Sequence, residues 1–214
     1  MRSGEVTVNG EVAVPGMVVE PTSDQILVRR QPIEPPPPAR YLALHKPVGY
    51  LVTAVDARGR PTILDLLPID EGRYHFFPVG RLDMDSSGLL LLTNDGDLAH
   101  RLTHPSYKVE KEYLVKVRGR LKAKAIQQLR QGVELEDGPT QPAEVEVVEE
   151  NAQLTELRIA IREGRNRQIR RMLEAVGQRV TSLHRTAVGA VQLGRLKVGD
   201  YRRLRPPELD ALGK

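Results

Sequence analysis

The chain has no cysteine and no tryptophan, and phenylalanine and tyrosine together make up only 4% of its 214 residues. Without cysteine there is no disulfide, no thiolate metal site and no thiol nucleophile. With so few aromatics the core must be aliphatic, and a hydrophobic share of 40% is enough to build one. No stretch approaches the roughly 18 consecutive apolar residues of a membrane span. The first residues carry no charged-then-apolar leader, so a soluble, cytoplasmic protein is expected. The five histidines, His45, His75, His100, His104 and His184, lack close metal-ligand spacing. His100 and His104 stand four apart, but Arg-Leu-Thr between them is not a metalloprotease pattern, and they read as surface or capping residues. Charge of one sign is only mildly in excess: 32 Lys and Arg against 28 Asp and Glu, a net charge of +4 and a pI near 9.4. That is compatible with a polyanionic partner and does not by itself require one.

Residues 1–33 read as small strands and turns. Glu5 to Val12 alternates around an Asn9-Gly10 turn, a hairpin pattern, and Gln25 to Arg29 reads as another short strand. Residues 34–39 hold a four-proline run, Pro35 to Pro38, with no backbone donors; they read as a semi-rigid linker. The main domain, residues 40–214, opens on a strand, Tyr41 to His45. Pro61 to Leu67 is a short helical patch and Asp97 to Leu102 a short helix. Glu112 to Val117, Ala143 to Val148 and Leu154 to Ile161 read as strands. Helices are expected over Ala123–Arg130 and Arg165–Val176, each followed by a glycine. Strands close the chain, Ala190 to Leu193 among them. Strands and helices mix without βαβ regularity, which predicts an α+β fold.

The most informative stretch runs from Gly80 to Gly96. Arg81 and Asp83 stand two apart, just before Leu89-Leu90-Leu91-Leu92, whose unbroken apolar character predicts a buried strand. If strand geometry extends to them, the two side chains share a face. A structural ion pair and a catalytic carboxylate are both open readings, because both perturb pKa values. Asp83, Asp85, Asp95 and Asp97 invite a metal reading, but calcium-loop spacing and the terminal glutamate are missing, so no metal is expected. Asn94 to Asp97 reads as a turn capping the next helix. Five arginines fall between Arg162 and Arg171, at an expected helix start. Planar guanidinium forks at a helix N-terminus suit a phosphate-rich ligand. Tyr113 reads as core packing or as a base-stacking ring.

Together these residues resemble the pseudouridine synthases, in the branch that modifies bacterial ribosomal RNA. The resemblance covers residues 40–206. His45-Lys46-Pro47-Val48-Gly49 is similar to the first motif of that family. Gly80-Arg81-Leu82-Asp83 with Ser87-Gly88-Leu89-Leu90 is similar to the motif of the catalytic aspartate, and Lys111 to Val115 to that of the active-site tyrosine. Gly164 to Arg171 resembles the motif whose second-to-last arginine pairs with the aspartate, and Leu193 to Leu204 a closing structural motif. Relatives with a broader RNA range tend to carry histidine where this chain has Arg167. That points to single sites in 16S or 23S RNA, with 23S put first. Gly4 to Val12 resembles the strand half of an alpha-L RNA-binding module, whose helical half, normally upstream, is absent.

The resemblance implies a pseudouridine synthase fold, a mixed and mainly antiparallel sheet flanked by helices. It implies isomerisation of uridine in ribosomal RNA or a pre-ribosomal particle, without cofactor or metal, by a protein expected to be a monomer. Asp83 would be the essential carboxylate, and attack on the anomeric carbon and removal of a ribose proton are both open to it. A buried aspartate needs a cation to stay charged, and Arg170 is the expected partner. Tyr113 would stack on the uracil, with a part in proton transfer at carbon 5 also open to it. Arg81 would fill the vacated space or hold the flipped nucleotide. Lys46, Arg165, Arg167 and Arg171 would hold phosphates. The rival expectations are a catalytically silent RNA-binding or ribosome-assembly protein on the same fold, and a glycosidase using Asp83 and Asp85.

Overall fold

The computed structural model describes residues 4–20, 23–34, 37–53, 55–68 and 71–213, with backbone alone at Gly72 and Arg73. Pro35 and Pro36 of the expected linker lie outside the described residues. The chain divides into two compact units, Met1–Pro38 and Ala39–Lys214.

The first unit is a four-stranded antiparallel sheet. Strand β1 (Val6–Val8) lies between β2 (Glu11–Val12) and β3 (Ile26–Val28), and β4 (Gln31–Pro32) pairs with β3. Asn9 and Gly10 both have positive φ, 51° and 89°, as the hairpin turn predicts. The Asn9 side chain accepts from the Gln25 amide at 2.9 Å and donates to Asp24, which ties the two hairpins together. Only Val8 and Ala13 are buried hydrophobics among the described residues of this unit. Its core is correspondingly small.

The second unit is built on a nine-stranded sheet. Its strands are β5 (Tyr41–Lys46), β6 (Phe77–Val79), β7 (Ser87–Thr93), β8 (Lys111–Arg118), β11 (Glu144–Glu150), β12 (Leu154–Ile161), β13 (Val180–Val188), β14 (Val191–Gln192) and β15 (Tyr201–Arg203). A separate hairpin is formed by β9 (Glu134–Leu135) and β10 (Gly138–Pro139). The order across the sheet is β11-β12-β8-β13-β7-β5-β15, with β14 on β13 and β6 on β7. Every pairing is antiparallel except β13 with β7. The helices are α1 (Gly96–Thr103), α2 (Ala123–Gln131), α3 (Gln168–Ala175) and α4 (Pro206–Ala211). This is the expected α+β architecture.

The sheet separates two cores. On one face Leu42, Leu44, Leu90, Leu92, Val115 and Leu157 pack with Leu129 of α2 and Met172 and Leu173 of α3. On the other, Ala43, Leu89 and Leu91 pack with Leu98 and Leu102 of α1 and with Val188 and Val191. Strand β7 is therefore covered on both sides. That is why Leu89–Leu92 is an unbroken apolar run rather than an alternating one. Burying each such leucine contributes about 1.5–3 kcal/mol.

Two expectations need correction. Helix α3 starts at Gln168 rather than at Arg165, because Arg167 is left-handed (φ 46°, ψ 33°) and Gly164 to Arg167 form the turn into the helix. Arg81 and Asp83 do not lie on a strand: β7 begins at Ser87, and residues 80–86 are a loop. Their shared site comes from that loop's path, not from strand alternation.

Candidate active site

The loop that carries Asp83 is held from below by the end of β5. Lys46 is fully buried, and its ammonium donates to the carbonyls of Pro47 (3.0 Å), Asp83 (3.0 Å) and Ser86 (2.7 Å). All three of its protons are thereby used. The Ser86 amide also donates to the Asp83 carbonyl (3.1 Å), and the Gly49 amide to that of Met84 (2.8 Å). The His45-to-Gly49 segment thus fixes the backbone of the 83–86 turn. Burial pushes the Lys46 amine down to about 8; the Asp83 and Asp85 charges counteract this and the Arg185 charge adds to it. The expected phosphate contact of Lys46 is overturned: a fully buried ammonium bonded to three carbonyls does not meet an RNA backbone.

The Asp83 side chain is 27% exposed, and Arg167 Nη1 lies 3.2 Å from its Oδ2. The same guanidinium reaches Asp85 at 3.3 Å. Arg170 pairs with Asp85 instead (3.2 Å) and donates to the Asp85 carbonyl (3.0 Å) and the Ser86 hydroxyl (3.3 Å). The expected Asp83–Arg170 pair is therefore replaced by Asp83–Arg167. The reason is local. Arg167 sits at the N-cap of α3, at the level of the Asp83 carboxylate, while Arg170, one turn further in, stands against the backbone of 85–86. Burial works against ionisation of Asp85, but the Arg167 hydrogen bond and the Arg170 charge outweigh it and hold its carboxyl below the usual aspartate range.

Two other arginines of the cluster are committed within the protein. Arg171 forms a fork on Asp137 (2.8 and 3.0 Å) and donates to the Asn166 carbonyl (2.9 Å). Arg165 donates to the carbonyls of Gly138 (2.8 Å) and Pro139 (2.5 Å) and pairs with Glu163 (3.3 Å). Both hold the β9–β10 hairpin against the turn before α3. Arg171 commits three of its five N–H groups in this way, so bracing the hairpin is a role the sequence does not show, beside the phosphate contact expected of both residues.

Behind the loop lies a cleft of about 340 Å³, lined by Arg81, Asp83, Lys111, Tyr113, Arg167 and Arg185 among others. Tyr113 is buried on β8, directly opposite Arg185 on β13. The Arg185 guanidinium carbon lies 6.0 Å from the Tyr113 ring centre. Arg185 is 2% exposed; its Nε donates to the Leu89 carbonyl (2.7 Å) and its Nη1 to that of Arg81 (3.3 Å). Its Nη2 is buried with no hydrogen-bond partner among the described residues. Gly88 faces Arg185 with φ of +111°, and a Cβ there would stand 2.2 Å from the Arg185 carbonyl oxygen. Only glycine fits. Lys111 donates to the Val109 carbonyl (2.8 Å), and burial together with the Arg185 charge lowers its pKa. Arg81 is exposed at the rim, its side chain without hydrogen bond or ion pair among the described residues.

The family described as RNA pseudouridylate synthase matches residues 40–175. This chain belongs to that family. A ribosomal large subunit pseudouridine synthase B from Bacillus subtilis is 40% identical over 214 residues, covering 99% of this chain and 86% of that one. An uncharacterized RNA pseudouridine synthase from Aquifex aeolicus is 42% identical over 213 residues, covering 99% and 84%. A crystal structure of a pseudouridylate synthase superposes with a TM-score of 0.76 at 33% identity, covering 99% of this chain and 90% of that one. Within this RNA pseudouridylate synthase the cleft unites Asp83, Tyr113, Arg81, Arg165 and Arg167, while Lys46 and Arg171 lie outside its lining and brace it. Among the described residues no group of three or more His, Asp or Glu side chains is placed to hold a metal ion, and no helix is long and apolar enough to cross a membrane. Arg185 escapes the reading of the sequence because a lone arginine in Thr181 to Val188 carries no motif signal. The one available hint is Gly88, a glycine inside an apolar strand, which marks a close backbone approach.

Proposed function

We propose that this pseudouridine synthase acts on large-subunit ribosomal RNA and that Asp83 carries the chemistry. The observation that supports the site is the convergence of Asp83, Tyr113 and Arg81 on one cleft, with a guanidinium at its mouth. The B. subtilis relative, named for the large subunit, supports the substrate. The target uridine leaves its stack, at a cost of a few kcal/mol, and enters the cleft. Tyr113 packs against the uracil, and Arg81 occupies the vacated space. Asp83 attacks the anomeric carbon or removes a ribose proton. The bond from N1 to ribose breaks, the base turns, and carbon 5 bonds to the anomeric carbon, displacing the Asp83 carboxylate on the first route or with Asp83 returning the ribose proton on the second. The proton on carbon 5 then leaves while N1 gains one, so the overall change is an isomerisation.

Arg170 and Lys46 act through the backbone of 83–86, as positioning residues rather than as groups on the substrate. Residues 1–33 add a second RNA contact as the strand half of an alpha-L module. A rival glycosidase reading loses support from the Arg167 fork, which ties Asp83 and Asp85 to one guanidinium. The test is to incubate the purified protein with unmodified transcripts of large- and small-subunit ribosomal RNA and to map pseudouridine. Modification of the large-subunit transcript is expected. Modification of the small-subunit transcript alone would overturn the substrate, and of neither, the activity on free ribosomal RNA.

A further inference from the structure

The two histidines that the sequence offers as surface residues stand beside the cleft in a particular arrangement. Leu98, Ala99 and Leu102 of α1 face the core, and His100, His104 and Tyr107 lie outside it. The His100 and His104 rings are 5.1 Å apart at 38°, and His104 meets Tyr107 at 6.3 Å and 79°. His104 is held in place, its Nδ1 bonded to the Ser106 hydroxyl (2.7 Å) and accepting from the Ser106 amide (3.3 Å). That bond orients the ring, and His104 remains exposed. Tyr107 is 53% exposed, in a chain with only six tyrosines and two phenylalanines. The three rings pack on one another but remain exposed, outside the core.

The ridge is continuous with the cleft. Leu102 and Thr103, from the same helix, line the cleft, and a Cβ on Gly80 would come within 4.0 Å of the Thr103 methyl. The end of α1 therefore abuts the loop that carries Arg81 and Asp83. From Leu98 to Val109 the chain has an arginine, a lysine and two histidines and no carboxylate. Asp97 precedes this stretch and Glu110 follows it, but within it the exposed rings stand among cations alone, which suits a nucleic-acid strand: bases stack on aromatic and imidazole rings, and the cations offset phosphate.

We propose that His100, His104 and Tyr107 form a stacking ridge for the single-stranded nucleotides that flank the target uridine. This rests on the reading of the cleft as the uridine site. Stacking is tolerant of base identity, so the ridge would add affinity and hold the strand in register while Arg81 and the cleft select the nucleotide.

The test uses the full chain with fluorescein-labelled oligouridine of twelve residues, and unlabelled oligouridine of three residues as competitor. Tyr107→Ala is expected to bind the long oligomer at least about fivefold more weakly, the lower end of one lost base–aromatic stack, and the short one as wild type does. Tyr107→Phe should restore long-oligomer binding, which a lost hydroxyl contact would not. His100→Ala should behave as Tyr107→Ala does. Equal weakening for both oligomers, no weakening for either, or a wild type that prefers neither length would overturn the ridge. Wild type that binds the long oligomer tightly but makes no pseudouridine in ribosomal RNA would sink the activity and leave the ridge to be judged on binding alone.

Discussion

Replacing Lys46 with methionine probes how the 83–86 turn is held. The substitution keeps most of the side-chain volume and removes the ammonium from three carbonyls, one buried and two part-buried. An unmet buried acceptor costs about 1–3 kcal/mol, so the gross loss is about 3–9 kcal/mol. Against it stands relief of the desolvated charge. A fall of the lysine pKa from 10.5 to about 8 corresponds to roughly 3 kcal/mol against the charged form. The net destabilisation is about 0–6 kcal/mol, and near 2 because the Asp83 carbonyl keeps the Ser86 amide and two of the three carbonyls are only part-buried. At roughly 2–4 °C per kcal/mol for a domain of this size, Tm should fall by about 5 °C. Turnover should suffer more than stability. A carboxylate displaced by about 1 Å loses on the order of a hundredfold in rate. Tritium release from carbon-5-labelled uridine RNA, measured well below both melting temperatures, separates the two effects. The pH dependence has a definite sign. Below about pH 8 the buried ammonium is charged and its burial penalty is fully present. As pH rises from there toward 10.5, the folded protein sheds this proton before the unfolded chain does, so the Lys46 contribution to stability improves. The neutral amine has one donor fewer, so wild-type turnover should decline above about pH 8, a decline that Lys46→Met should lack. A Lys46→Met protein with wild-type Tm and wild-type turnover would refute the bracing role.

Further predictions concern the arginines and Gly88. Arg167→Ala removes an exposed cation at the cleft mouth and should weaken RNA binding while lowering the slope of log affinity against log salt by about one; an unchanged slope would take it off the RNA surface. Arg170→Ala removes the donor to the Asp85 carbonyl and Ser86 hydroxyl, and should cut turnover at least tenfold with RNA affinity changed less than twofold; the reverse pattern would make it an RNA contact. Gly88→Ala drives a Cβ into the Arg185 backbone; denaturant unfolding should show a loss of about 3 kcal/mol or more, and wild-type stability would mean that β7 and β13 are not packed so closely.

The parts of the fold that sequence reveals are those where burial sets a regular pattern. Strands β8 and β12 alternate buried and half-exposed residues along their length, and alternation is what their sequences display. Strand β7 is buried on both faces and reads as leucines. Strand β13 is equally central but runs Val-Thr-Ser-Leu-His-Arg-Thr-Ala-Val, so its polar positions hide it, among them Arg185, whose Nε and Nη1 find the carbonyls of Leu89 and Arg81, far away in the chain. The roles within the arginine cluster are tertiary facts as well. Asp137 decides that Arg171 is a brace, and it lies 34 residues away in the chain. Residue type alone predicts a basic, phosphate-seeking surface; which guanidinium stays available depends on the carboxylates and carbonyls that folding brings beside it.

The central claim is that one carboxylate, held in the cleft by the Lys46-braced turn, performs the isomerisation. Asp83→Asn tests it most directly, because the amide keeps the side-chain shape and removes the charge. With carbon-5-tritiated RNA the variant should release no tritium above background while binding the RNA within a few-fold of wild type. Tritium release at a rate near that of wild type would contradict the account and move the chemistry to another residue.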